Sequence, residues 1–127
     1  MAYKINGIDE STGKITYSAK VLLNTILIAA KEIQGVAGLC NIRVDGAYKK
    51  NVESMKGIRM ELKGLDVYVD VYINVYANIN VPTVAFKVQE NIKRNIESTT
   101  PFIIKRVDVH VMGVVFDTEE ASKMIEG

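Results

Sequence analysis

The chain has 127 residues, of which 48% are hydrophobic and 24% are charged, and 16 basic residues against 15 acidic ones give a formal net charge of +1. This length and composition predict one globular domain with a substantial core. The near-neutral charge argues against strong electrostatic binding to nucleic acid or anionic lipid. Cys40 is the only cysteine, which excludes an intrachain disulfide and favours a reducing, cytoplasmic setting.

The beginning of the chain, MAYKINGIDESTGK, has neither the apolar core nor the cleavage pattern of a secretory signal. No apolar run approaches the roughly 20 residues that span a bilayer, so we expect no direct membrane insertion. We predict a flexible arm over residues 1–12, a single α+β domain over residues 13–116, and a tail over residues 117–127 in which a short helix can form.

The first predicted elements are a short strand over residues 14–18 and a helix that follows it. Ser18 is a suitable N-cap and Gly35 a suitable stop for this helix. Leu23 and Leu27 fall on its otherwise polar side, so the helix is apolar over more of its surface than a one-sided helix requires. Either the arm or the tail covers these residues, or they contact another subunit. The expected core stripe is Leu22, Ile26, Ala29 and Ile33.

The middle of the chain predicts three strands. Residues 36–44 form the first, with Cys40 as a small core residue, and a polar, mobile loop follows over residues 45–56. Residues 57–63 and the stretch LDVYVDVYINVYANIN, residues 65–80, alternate strictly and predict a hairpin.

We predict that this hairpin turns at Lys63 and Gly64. That register places Arg59 opposite Tyr68 and diagonally near Asp66 and Asp70, within reach of its long side chain.

One face of the long strand is aliphatic and forms part of the core, whereas the other carries Tyr68, Tyr72 and Tyr76 among acidic residues. This second face is open to three interpretations: a solvated structural surface, a protein interface, or a site for a small ligand or single-stranded RNA. Asp66 and Asp70 would repel phosphates, and the signature of the common RNA-binding sheet is absent.

A second helix is predicted to begin at Pro82 and to end before Pro101. Phe86 points outward among its charged residues. The last strand, residues 102–116, should place Val107, Val109 and Val111 in the core and Arg106, Asp108, His110 and Met112 on the opposite face.

The predicted order is therefore β-α-β-β-β-α-β. Hairpin pairing between two separated helices indicates an α+β fold, with one mixed β-sheet and both helices packed on its aliphatic face.

The sequence lacks the common motifs of phosphate binding, zinc binding and nucleophilic catalysis. Asp108 and His110 share a strand face about 6–7 Å apart, but no nucleophile accompanies them. We therefore predict no catalytic residue, no metal site and no cofactor, and hence a protein that is not an enzyme.

Four segments of the chain occur in a recognisable order: GKITYSAKVLLNTILIAAKEIQGVAGL, KGIRMEL, VDVYINVYANINVPTVAFKVQENIKRNIE and the ending VDVHVMGV. By this order the chain resembles the alkaline shock protein family of Gram-positive bacteria, also called envelope stress response proteins. The resemblance covers residues 13 to about 116. It implies a non-enzymatic cytoplasmic protein of cell-envelope homeostasis that self-associates, and in some members lies beneath the membrane through a membrane-anchored relative.

On this basis we expect a homo-oligomer, with a membrane-anchored relative as a further partner and without nucleic acid. The candidate interface residues are Leu23, Leu27 and Phe86 on the helices and Tyr68, Tyr72 and Tyr76 on the sheet.

Overall fold

The computed structural model describes residues 17–40 and 52–116, together with the backbone of residues 4–5, 8–9 and 14–15. Two helices and five strands form the main body. The helices are α1 (Ala19–Lys31) and α2 (Val81–Thr99). The strands of the main sheet are β4 (Val36–Leu39), β5 (Val52–Met55), β6 (Ile58–Lys63), β7 (Asp66–Tyr76) and β8 (Ile103–Val115), and three two-residue strands precede α1: β1 (Lys4–Ile5), β2 (Ile8–Asp9) and β3 (Lys14–Ile15).

The central strand of the main sheet is β7. One of its edges pairs with the parallel strand β8 along its whole length. The other edge is shared by two antiparallel strands, β6 along the first part of β7 and β4 along the last part, and β5 pairs with the far side of β6. The sheet is thus mixed, and the predicted α+β fold with both helices on one face is confirmed.

Two strands differ from the prediction. β5 lies within the segment predicted as a loop, because VESM is short and polar and becomes a strand only through its pairing with β6. The predicted first strand is reduced to β3, which pairs with β2 in a small separate sheet and does not join the main one.

The predicted turn of the β6–β7 hairpin was wrong by one residue, which shifts the pairing register by two. Lys63 pairs with Asp66, so the two turn residues are Gly64 and Leu65. Gly64 has a φ of 62°, as the first central residue of a type II′ turn requires. A slip of two residues keeps every side chain on its predicted face, but it brings Arg59 opposite Asp70.

The core lies between the helices and one face of the sheet. The odd-numbered residues of β7, from Val67 to Val75, are at most 1% exposed. Burial of each such side chain contributes about 1.5–3 kcal/mol. The helices supply the opposing layer, with Leu22, Leu23, Ile26, Ala29 and Ala30 from α1 and Val84, Val88, Ile92 and Ile96 from α2.

Leu23 belongs to this core and is only 5% exposed, which leaves it without surface for a partner. The reason is that α1 packs against α2 on one side and against β4 and β6 on another, so its apolar residues are covered on two sides. Leu27 is half-buried against the core, and Ile28 is the exposed apolar residue of this helix, at 62%.

The N-termini of both helices are capped by side chains. The Ser18 side chain accepts from the Val21 amide, and the Asn80 side chain accepts from the Thr83 amide. Near the end of α1, the carbonyl of Ala29 accepts a hydrogen bond of 2.7 Å from the Asn91 side chain of α2. This buried contact joins the two helices, since Asn91 is only 7% exposed.

β8 contains two irregularities that the sequence pattern does not reveal. Ile104 and Arg106 pair with the consecutive residues Val67 and Tyr68, which leaves Lys105 as an extra residue. Val111 and Gly113 likewise pair with Ile73 and Asn74, which leaves Met112 as a second extra residue.

The predicted burial of the last strand holds only in part. Val107 is 9% exposed and Val109 is half-buried, but Val111 is 39% exposed. Val111 was wrongly assigned to the core because β8 is an edge strand whose final half has no strand on its outer side in the described part of the chain.

Several predictions concern residues outside the described ones: the strand continuation over residues 41–44, most of the predicted mobile loop, and the tail helix after residue 116. The division into an arm, a domain and a tail stays a prediction.

Gly35→Ala tests how closely α2 packs against the sheet. Gly35 has a φ of 106°, and an added Cβ would lie 2.7 Å from Cγ2 of Val84. We expect the substitution to lower the free energy of unfolding by about 2–4 kcal/mol, because backbone strain and a core clash combine. Urea unfolding followed by circular dichroism measures this loss.

Gly64→Ala is the matched control, because Gly64 also has a positive φ but a Cβ there would meet no atom within 4 Å. Gly64→Ala should lower the free energy of unfolding by only about 1–2 kcal/mol. Equal losses for the two variants would contradict the packing described here.

Candidate functional site

The open face of the sheet, on the side away from the helices, collects polar and aromatic side chains from three strands. Strand register determines the grouping: Asp70 pairs with Arg59 on β6 and with Asp108 on β8, Tyr72 pairs with His110, and Tyr68 pairs with Arg106. Because paired residues in a sheet share a face, these side chains form one continuous surface. We call it the open face.

Asp70 is the centre of the open face. Its carboxylate lies 3.4 Å from Nη1 of Arg59, 3.5 Å from Nη2 of Arg106 and 3.0 Å from Nε2 of His110. The Asp70 side chain is only 12% exposed, so its charge is compensated by two guanidinium groups and a ring nitrogen more than by water. Arg106 also pairs with Asp108, with 3.0 Å between Nε and Oδ2.

The sequence placed Asp108 and His110 on one strand face, and the structure pairs His110 with Asp70 of the neighbouring strand. The signal missed was the parallel alignment of β7 with β8, which a hydrophobic pattern alone does not give. Asp70, Asp108 and His110 can each offer one ligand atom, and these atoms lie within 4.8 Å of one another. However, the two arginines already neutralise the carboxylates and would repel a cation, so the geometry is that of a charge-compensated cluster.

The three tyrosines predicted as contacts lie in a row on the open face and are half-buried. The Tyr72 ring stacks on the His110 ring, with 4.4 Å between centroids and 12° between planes. The Tyr68 ring lies near two cations, 5.2 Å from Nζ of Lys63 and 5.5 Å from Cζ of Arg106. Tyr76 pairs with Val115 at the far end of the strand. The register brings the tyrosines together, and their role as an interface stays a prediction.

The predicted helix-side contacts are separated by the structure. Phe86 is 60% exposed on α2, whereas Leu27 is half-buried and Leu23 is in the core. Sequence reasoning missed a larger group of exposed apolar residues at the end of β8, because an alternating apolar strand was taken to be covered on one face. This group is Val111, Met112, Val114, Val115 and Phe116, with exposures from 39% to 73%.

Comparison with known proteins identifies the family. The profile of the alkaline shock protein 23 family, which is described by a cell envelope-related function, matches residues 7–116. The chain belongs to this family. It is also 30% identical over 125 residues to the uncharacterised protein YqhY of Bacillus subtilis (strain 168), an alignment that covers 97% of this chain and 93% of YqhY.

Among solved structures, this family member is similar to the MamM CTD. The TM-score to the MamM-CTD 215-293 structure is 0.52 at 20% identity, covering 76% of this chain and 99% of that one. A copper form of the MamM CTD gives a TM-score of 0.52 at 19% identity, covering 75% of this chain and 85% of that one. At these identities the likeness concerns the fold alone.

Neither α1 nor α2, the helices in the described part of the chain, has the length and apolar character needed to cross a bilayer.

Asp70→Asn tests whether the open-face cluster stabilises the protein. The substitution leaves Arg59 and Arg106 facing a neutral amide in a largely buried position, so we expect the free energy of unfolding to fall by about 1–3 kcal/mol. The measurement is equilibrium urea denaturation.

Asp108→Asn is its control, because the Asp108 side chain is 49% exposed and pairs only with an exposed arginine among the ion pairs of the described residues. Asp108→Asn should lower the free energy of unfolding by less than about 1 kcal/mol. A larger loss for Asp108→Asn than for Asp70→Asn would contradict an Asp70-centred cluster.

Proposed function

We propose that this family member is a non-enzymatic structural protein of the cytoplasm that acts in cell-envelope homeostasis and the envelope stress response through self-association and protein partners, a membrane-anchored relative among them. The observation that carries the proposal is the family match over residues 7–116, with its cell envelope-related function. A protein of this kind acts through its surfaces, so the proposal depends on what those surfaces offer.

Exposed apolar residues on three elements support a role in protein contacts. Ile28 on α1 and Phe86 on α2 are both at least 60% exposed, and the end of β8 adds a further group. Large apolar side chains that remain exposed together on a small domain are typical of protein–protein interaction sites.

The open face supports a structural role over a catalytic one. Asp70 and His110 contact each other, and the Asp70 carboxylate also forms ion pairs with Arg59 and Arg106. Within the described residues, every buried side-chain nitrogen and oxygen has a hydrogen-bond partner. Polar groups that are paired in this way are typical of a cluster that stabilises a sheet.

The same face is less suited to single-stranded RNA. One side of the Tyr72 ring is already stacked on His110. Arg59 and Arg106, two cations of this face that could bind phosphates, are already paired with Asp70 and Asp108. Protein contact is therefore the better-supported use of the tyrosine row.

Light scattering after gel filtration tests the self-association. We expect the measured mass of the full chain to exceed the monomer mass of 14.1 kDa and to increase with concentration over the micromolar range. Phe86→Asp should lower this mass because it places a charge in an exposed apolar contact.

The control is Lys93→Asp, which adds the same side chain at another exposed position of α2 and should leave the mass unchanged. A mass of one chain at all concentrations would contradict the proposal.

A further inference from the structure

β8 is a long strand at the edge of the main sheet. It runs for 13 residues and pairs with β7 alone in the part of the chain that the structure describes. Val114 is 58% exposed and Phe116 is 73% exposed, so its last residues combine an open edge with apolar side chains. Natural sheets usually protect such edges, because unpaired backbone groups are a template for another strand.

The backbone groups of Val109 face away from the sheet. Tyr72 bonds through its N–H and C=O to Gly57 and Cys40 on one side of β7, so the groups of the next residue, Val71, point to β8 on the other side. Val71 is paired with Val109, and in a parallel ladder Val71 bonds to the two residues that flank its partner. The N–H and C=O of Val109 are consequently directed outward.

The apolar surface continues from β8 onto α2. Glu97 accepts from the amide of Ile104, and Gln89 donates to the carbonyl of Val107, so α2 runs antiparallel to β8. Phe86 precedes Gln89 by three residues and therefore lies on the same side of α2, displaced toward Val111. The exposed end of β8 thus has an exposed aromatic residue beside it.

We propose that the partner on this edge is a second copy of this chain, whose β8 pairs antiparallel with this β8 about a two-fold axis at Val109. The inference rests on the proposed self-association and specifies its interface. A two-fold axis across identical strands pairs each residue with another of the same strand, which makes the surface self-complementary.

The two extra residues of β8 restrict the register. Between Lys105 and Met112 the odd-numbered residues of β8 lie on the core face of the sheet. Before Lys105 and after Met112 the even-numbered residues lie on that face. Directly opposite residues in an antiparallel pair must share a face. Among registers that pair most of the strand, only those that set the two extra residues one position apart across the axis satisfy this condition, with the axis at Val109 or at Asp108.

Charge distinguishes these two registers. An axis at Asp108 sets two carboxylates directly opposite each other, which is destabilising. An axis at Val109 sets Asp108 opposite His110 of the partner subunit, twice by symmetry. It also sets Val107 opposite Val111 of the partner subunit and Ile103 opposite Val115 of the partner subunit, so an exposed apolar side chain gains an apolar neighbour on each face.

The Gln89 hydrogen bond is compatible with this pairing. Gln89 donates to the carbonyl of Val107, and a carbonyl oxygen has a second lone pair that can accept from a partner strand. The outward carbonyl of Val109 has no such cap among the described hydrogen bonds.

Disulfide trapping tests the register on the full chain. In a Cys40→Ser background, Val109→Cys places two thiols across the axis with about 5.5 Å between Cα atoms, within the range that a disulfide bridges. We expect mild oxidation to convert this variant to a covalent dimer on a non-reducing gel. Met112→Cys is the matched control: it is 51% exposed, yet its symmetry mate would lie about 20 Å away, so it should stay uncrosslinked.

A second variant keeps the test independent of how well the cysteine protein folds. Val114 is 58% exposed, so Val114→Lys should preserve the fold while weakening self-association at least about tenfold in Kd, measured by sedimentation. Oligomers that form without a Val109→Cys dimer, or with equal trapping at Met112→Cys, would overturn this register and leave the proposed function standing. A strict monomer would overturn both.

Discussion

The alternation of residues along β7 is the constraint on which the rest of this structure depends. A strand that is paired on both edges can place side chains only above and below the sheet, and here its odd-numbered residues are apolar and buried while its even-numbered residues are polar. The apolar face requires a covering layer, which α1 and α2 provide. The polar face is not covered by a helix, and the charge of Asp70 on it is paired with Arg59 and Arg106 from the two neighbouring strands.

Features encoded locally could be predicted from the sequence. Ser18 and Pro101 mark helix ends because their effects act within one turn, and the period of two assigns the faces of β6 and β7. Features that depend on pairing could not be predicted. The sequence placed Arg59 diagonally near Asp70, and only their directly opposite pairing required the correct turn. The His110–Asp70 contact required the parallel alignment of β8, and the exposure of Val111 required knowledge that β8 is an edge. The burial of Leu23 likewise depends on how α1 sits between α2 and the sheet.

The open face and the β8 edge differ in whether their groups are already paired within the chain. In the open-face cluster the charges of Asp70, Arg59 and Arg106 are compensated within the chain, and His110 contacts Asp70. The β8 edge is the reverse, since its outward backbone groups and its exposed apolar side chains would gain from a partner. A family with a cell envelope-related function and a chain whose unsatisfied surface is a strand edge are consistent with a protein that acts by assembly.

Amide hydrogen exchange along β8, read by NMR at low and high protein concentration, shows whether assembly extends the sheet across this strand. We expect the outward amides of Val109 and Val111 to exchange more slowly as concentration rises, while the amides of β7, already paired on both sides, do not change. Exchange of Val109 and Val111 that is independent of concentration, in a sample that light scattering shows to be oligomeric, would contradict this extension of the sheet.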